Sequence, residues 1–176
     1  MHQQLCYNIP LRIASDTPQE FRYEIAETFF EQYSNGEIKG GNLTASVKLQ
    51  KKNNAYLLHI SIVGYVLVTC DRCLDLCKQA VDISEEITAN VSEETLFDPG
   101  TTNISVSGQD TELNISDLLH ELMVVSLPVK RIHLPKVFGE DCNPEMINIL
   151  NKYITVDEET STDSRWDKLK ELKSNT

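Results

Sequence analysis

The chain has 176 residues, of which 40% are hydrophobic, and it carries a formal net charge of −11. The apolar fraction excludes a disordered chain, and no run approaches the roughly 20 apolar residues that a membrane helix needs. The negative charge disfavours a protein that binds nucleic acid by neutralising phosphates, and it favours basic protein partners.

The N-terminus has no basic region followed by an apolar stretch, so we predict no signal peptide and a cytoplasmic location. The five cysteines are then expected to stay reduced, and their odd number also argues against a disulfide framework. We expect no membrane contact.

The first two thirds of the chain show the period-two alternation of apolar and polar residues that is typical of strands. Pro10 places the first strand at a sheet edge, and "KKNN" is predicted to be the turn of a hairpin. The predicted elements are an edge strand at 8–15, a strand at 21–25, a helix at 26–33, a hairpin at 42–70, a long strand at 78–94 and a loop at 97–110.

Helical spacing replaces this alternation in the last third of the chain. "NISDLLHELMVVSLP" predicts a helix that Asn114 caps and Pro128 ends, and "CNPEMINILNKY" predicts a second helix that begins at Asn143 and Pro144. Strands followed by helices indicate an α+β fold, with an antiparallel sheet or partial barrel and the C-terminal helices packed on it.

The domain prediction follows from the same pattern. Residues 1–155 are expected to form one α+β domain, and 156–163 an acidic linker. Residues 164–176 are expected to hold a short amphipathic helix. Its apolar face, Trp166, Leu169 and Leu172, must pack on the protein's own body or on a partner.

The strongest chemical signal is "VTCDRCLDLC", where Cys70 and Cys73 follow a strand. This pair supplies half of the four ligands of a structural zinc site, and His133 and Cys142 are the best candidates for the rest. Cys77 is a possible substitute. Unmetallated thiols in a tight turn are the alternative.

A second alternative is a redox pair. A thioredoxin-like pair sits between a strand and a helix, whereas a strand is predicted after Cys73. Asp71 is expected to raise the pKa of the Cys70 thiol, which disfavours redox chemistry. The start of a helix is expected to stabilise a thiolate at Cys142.

Only two small groups of basic residues could contact RNA. The first is Lys48, Lys51 and Lys52, and the second is Lys130 and Arg131. Solvated surface charge is the simpler interpretation of both.

The order of "VTCDRCLDLC", an acidic strand, "ISDLLHELMVVSLPVKRIH" and a late cysteine resembles the YceD family, the large ribosomal RNA subunit accumulation proteins. "CNPEMINILNKY" and "RWDKLKELK" resemble its Bacteroidetes-type branch. Some relatives carry a fuller cysteine set after the Leu-Pro step, where this chain has His133 and Cys142.

The resemblance implies a non-enzymatic factor in ribosome biogenesis that supports accumulation of large-subunit ribosomal RNA. The implied partners are a ribosomal protein or a large-subunit assembly intermediate, with a limited ribosomal RNA contact and no small-molecule substrate. A thiol oxidoreductase using Cys70 and Cys73, and a cytosolic adaptor unrelated to ribosomes, are the alternative functions.

Overall fold

The computed structural model describes residues 7–33, 36–92, 96–97 and 103–153. The chain divides into two compact units between Cys142 and Asn143, and each is described by itself. The predicted linker at 156–163 and helix at 164–176, with Trp166, Leu169 and Leu172, lie outside the described residues. The domain boundaries therefore stay a prediction.

The first unit is built on a mixed, mostly antiparallel six-stranded sheet. Its strands are β2 (Gln19–Ile25), β3 (Gly40–Lys52), β4 (Ala55–Thr69), β5 (Leu76–Ser92), β6 (Leu96–Phe97) and β7 (Asn103–Ser107). Their spatial order is β2-β3-β4-β5-β7-β6. Two short strands, β1 (Asn8–Pro10) and β8 (Glu112–Asn114), pair separately.

The long hairpin of β3 and β4 turns at Asn53 and Asn54. Asn53 has φ 54°, a left-handed conformation that asparagine tolerates well and that a two-residue hairpin turn requires. β5 continues the sheet antiparallel to β4, from Thr69↔Leu76 to Ala55↔Asn90. The predicted hairpin and long strand are confirmed.

One face of the sheet forms the core, because side chains at alternate positions are buried along most of each long strand. Leu43, Ala45, Val47 and Leu49 of β3 all have their side chains on this face. The opposite side chains, such as Lys48 and His59, are exposed.

Two helices contact this sheet. α1 (Glu27–Glu31) contributes buried Phe29 and Phe30, and α2 (Ser116–Val125) contributes buried Leu118, Leu119 and Met123. The predicted cap at Asn114 is wrong by one residue: the N-cap of α2 is Ile115, and Asn114 is the last residue of β8, from which its Oδ1 atom accepts the N–H of Ser116 at 3.0 Å. The α+β fold class is confirmed.

Two predicted elements differ from the structure. The first strand ends at Pro10, and a 3-10 helix follows at Leu11–Ile13. The predicted loop at 97–110 is wrong, because β7 runs from Asn103 to Ser107. β7 pairs in parallel with β5, and its buried side chains Ile104 and Val106 extend the core.

The described part of the second unit is α4 (Pro144–Tyr153). The Oδ1 atom of Asn143 accepts the N–H of Glu145 at 3.0 Å, and Pro144 occupies the first turn, as predicted. A short helix, α3 (Pro135–Phe138), precedes it in the first unit.

Candidate metal centre

Cys70 and Cys73 lie in the tight turn that joins β4 to β5. The backbone N–H of Cys70 donates to the carbonyl of Asp75 at 2.8 Å, and the N–H of Leu74 donates to the carbonyl of Cys70 at 3.0 Å. Leu74 has φ 65°, so it supplies the left-handed step that reverses the chain. Both cysteine side chains are buried.

The loop after α2 lies along this turn. The N–H of Asp71 donates to the carbonyl of Arg131 at 2.7 Å, and the Asp71 carboxylate accepts the N–H of Arg131 at 2.6 Å. The buried Gln79 amide donates to the carbonyl of Ile132 at 2.8 Å. These bonds place His133 against the turn.

Four side chains converge where the turn and the loop meet: Cys70, Cys73, His133 and Cys142. One ligand atom from each lies within 4.8 Å of the others. We call this set the Cys3His cluster. It connects β4 and β5 to a loop about 60–70 residues further along the chain.

Two separations inside the cluster match those of a tetrahedral zinc site. Zn–S bonds of about 2.3 Å and Zn–N bonds of about 2.0 Å at tetrahedral angles place two sulfurs about 3.8 Å apart and a sulfur and a nitrogen about 3.5 Å apart. The Sγ atoms of Cys70 and Cys142 are 3.9 Å apart, and Cys73 Sγ lies 3.5 Å from His133 Nδ1. The set can therefore hold a zinc ion.

The environment of Cys70 favours a thiolate. Burial alone would raise its pKa, but hydrogen bonds from backbone N–H groups of Cys73, Arg72 and His133 lower the pKa of Cys70 to about 6. The predicted rise of this pKa through Asp71 is wrong, because the pKa is lowered and Asp71 is not among the groups that shift it. The Asp71 carboxylate accepts the N–H of Arg131 instead.

The pKa of Cys142 is shifted in the opposite direction from that of Cys70. Burial, followed by its hydrogen bond to Cys70 and the charge on that sulfur, raises the pKa of Cys142 to about 11. The expected stabilisation of this thiolate by a helix start is therefore wrong. A divalent cation between the sulfurs would reverse the effect, because a coordinating thiol is deprotonated.

The profile of a protein family described as "Large ribosomal RNA subunit accumulation protein YceD" matches residues 58–173. The matched region includes all four residues of the Cys3His cluster. The chain belongs to the YceD family. The family's description indicates a role in accumulation of large-subunit ribosomal RNA.

Neither the curated proteins nor the solved structures include a significant match to this YceD-family chain. Its assignment to the Bacteroidetes-type branch stays a prediction. Among the described residues, no helix is long and apolar enough to span a bilayer.

Cys77, the possible substitute ligand, is buried in β5 and is not one of the four cluster residues, although its sulfur interacts with that of Cys70. The Gln79 amide donates to the Cys77 sulfur at 3.4 Å. Burial is the main reason that the pKa of Cys77 is raised. Sequence reasoning missed Gln79, although a polar residue at a core-facing position of a strand was the available signal.

The two basic groups lie at opposite ends of β4. Lys48, Lys51 and Lys52 lie toward the β3–β4 turn, whereas Lys130 and Arg131 lie beside the β4–β5 turn. β4 has 15 residues, so at ~3.3 Å per residue its ends are roughly 50 Å apart. Arg131 also forms an ion pair with Glu37 at 2.7 Å, which leaves Lys130 as the more available cation of its group.

Proposed function

We propose that this protein is a non-enzymatic ribosome-biogenesis factor that supports accumulation of large-subunit ribosomal RNA in the cytoplasm. Membership of the YceD family is the observation that carries this proposal. The factor acts through contacts with a ribosomal protein or a large-subunit assembly intermediate, because a chain with net charge −11 attracts basic proteins.

We further propose that the Cys3His cluster holds one structural zinc ion. A catalytic zinc keeps a coordination position open for water or substrate, whereas four protein ligands fill the tetrahedral shell. Along the chain, His133 lies between Arg131, whose N–H donates to the Asp71 carboxylate, and α3. The ion would therefore fix this loop against the end of the sheet.

Depletion of the protein, followed by sedimentation of ribosomal particles, tests the function. We expect fewer large subunits and less large-subunit RNA, with recovery when wild-type protein or a Cys77→Ser variant is supplied. A Cys73→Ser variant should recover them poorly. Unchanged large-subunit levels on depletion would refute the proposal.

A thiol oxidoreductase is the second candidate, and the lowered pKa of Cys70 is the observation in its favour. The burial of Cys70 and Cys73 argues against it, since a redox pair must meet its substrate. An insulin-reduction assay decides between the two functions. We expect wild-type protein to show no more turnover than a Cys73→Ser variant.

A cytosolic adaptor without a ribosomal link is the third candidate. Its docking residues would be Trp166, Leu169 and Leu172. Affinity capture with the full chain and with a chain lacking residues 164–176 tests it. Under our proposal, ribosomal proteins dominate the captured material, and a limited RNA contact through Lys48, Lys51, Lys52 or Lys130 weakens steeply with salt.

A further inference from the structure

Exposed apolar side chains are concentrated around the Cys3His cluster. Seven large apolar side chains are exposed in the described part of the first unit, and four of them lie within four residues of Cys73 or His133. These four, Leu74, Leu76, Val129 and Val137, are called the clip surface. The other three are Ile13, Val63 and Val125.

Leu74 is an unfavourable residue for its position in the fold. It adopts φ 65°, a conformation in which glycine or asparagine is much more common, and its side chain is 66% exposed. Leucine at this position therefore costs backbone energy and exposes apolar surface to water. Strained residues of this kind are typical of functional sites.

The segments that carry the clip surface are balanced in charge, unlike the chain as a whole. Residues 70–76 and 129–141 together contain four basic residues, Arg72, Lys130, Arg131 and Lys136, and four acidic residues, Asp71, Asp75, Glu140 and Asp141. The chain's excess of 11 negative charges therefore lies outside these two segments. An apolar, charge-balanced patch on an otherwise acidic chain has the composition of a protein-binding site.

We propose that the clip surface docks a basic protein through an apolar segment of that protein. The net negative charge of the chain would attract a basic partner over long range, and the aliphatic side chains would supply the contact that excludes water. A second copy of this chain would be repelled by its own −11 charge. RNA is a poorer fit, because the four carboxylates in these two segments would repel its phosphates and offset the four cations. The inference rests on the proposed function and assigns the surface through which the partner binds.

Proteins extracted from purified large ribosomal subunits and freed of RNA are the probe, and naked large-subunit RNA is a separate arm. The full-length, metal-loaded protein is immobilised, and the retained basic proteins are quantified at low and moderate salt. Leu74→Asn removes the apolar contact and keeps a residue that suits φ 65°. Val129→Ser removes another, from a side chain fully exposed to solvent.

We expect both variants to lose at least tenfold in retention of basic proteins. The Leu74→Asn variant should melt at the same temperature as wild type or higher, because its turn is less strained. Val63→Ser is the matched control: this side chain is 53% exposed on the outer face of β4, and its loss should leave retention unchanged.

Equal retention by Leu74→Asn, Val129→Ser and wild type would overturn the inference. Equal losses in all three variants, preferential binding of naked RNA, or self-association abolished by Val129→Ser would overturn it as well. The proposed function fails on a different measurement, since it requires that depletion lowers large-subunit RNA. An RNA loss on depletion with normal retention by both clip variants would reject the surface alone.

Discussion

The Cys142→Ser variant tests the proposed zinc site most directly, because it removes the ligand that lies furthest along the chain from the Cys70–Cys73 turn. Serine keeps the size of the side chain but replaces the sulfur, whose Sγ lies 3.9 Å from that of Cys70. Loss of a group outside the first coordination shell typically weakens metal affinity about 10–100-fold, so loss of a direct ligand should exceed 100-fold. That factor corresponds to at least about 2.8 kcal/mol of binding free energy.

The assay is a zinc competition titration against a chromophoric chelator, together with elemental analysis of protein purified under reducing conditions. Wild-type protein should contain about one zinc per chain, and chelation should lower its stability. Cys77→Ser is the matched control, because this buried sulfur neighbours Cys70 but is not one of the four ligand atoms of the cluster. Fully folded wild-type protein without metal, or equal losses of affinity in Cys142→Ser and Cys77→Ser, would refute the reasoning.

Three further predictions concern stability, each measured by denaturant unfolding. Gly64→Ala should cost at least about 2 kcal/mol of stability, because Gly64 has φ 152° and the added Cβ would lie 2.3 Å from the Asn42 carbonyl oxygen. Gly139 has φ 70° but open space around it, so Gly139→Ala should cost only about 1 kcal/mol. Leu119→Ala should cost about 2–5 kcal/mol, since its fully buried side chain holds α2 in the core, and a cost below 1 kcal/mol would contradict that packing. Burial lowers the pKa of His120 below its usual 6.5, so the unfolded chain binds this proton more readily than the folded chain. Stability should therefore fall as the pH drops below about 6.5. A His120→Phe variant should lose part of that pH dependence, and an unchanged pH profile of stability would contradict the reasoning.

The elements predicted correctly are those whose pattern is local. The β3–β4 hairpin combines strict alternation with a two-residue asparagine turn, and α2 has a helical stripe that buries Leu118, Leu119 and Met123. β7 was missed because it has five residues and pairs in parallel with β5, a partner on the far side of a connection rich in loop-forming residues. Short parallel pairing of this kind leaves little local signal.

The cluster shows a similar division. Ligand chemistry was sufficient to name Cys70, Cys73, His133 and Cys142, and the structure brings them together. Their protonation was not predictable, because it depends on backbone N–H groups that surround one sulfur and on the charge this places beside another. The hydrogen-bond partner of the Asp71 carboxylate could not be predicted from the sequence either, because Arg131 is 60 residues away.

The position of Cys77 follows from the geometry of the strands. Cys77 is the Cα partner of Val68, and both side chains lie on the buried face that β4 and β5 share. Alternation along β5 then directs Cys77 into the same core as Val81 and Ile83, and burial keeps its sulfur protonated. Cys70 and Cys73 lie in the turn, outside the paired residues, where the backbone can direct both sulfurs toward His133. The end of the sheet ladder thus separates the cysteines that can bind a metal from the one that serves as an apolar core residue.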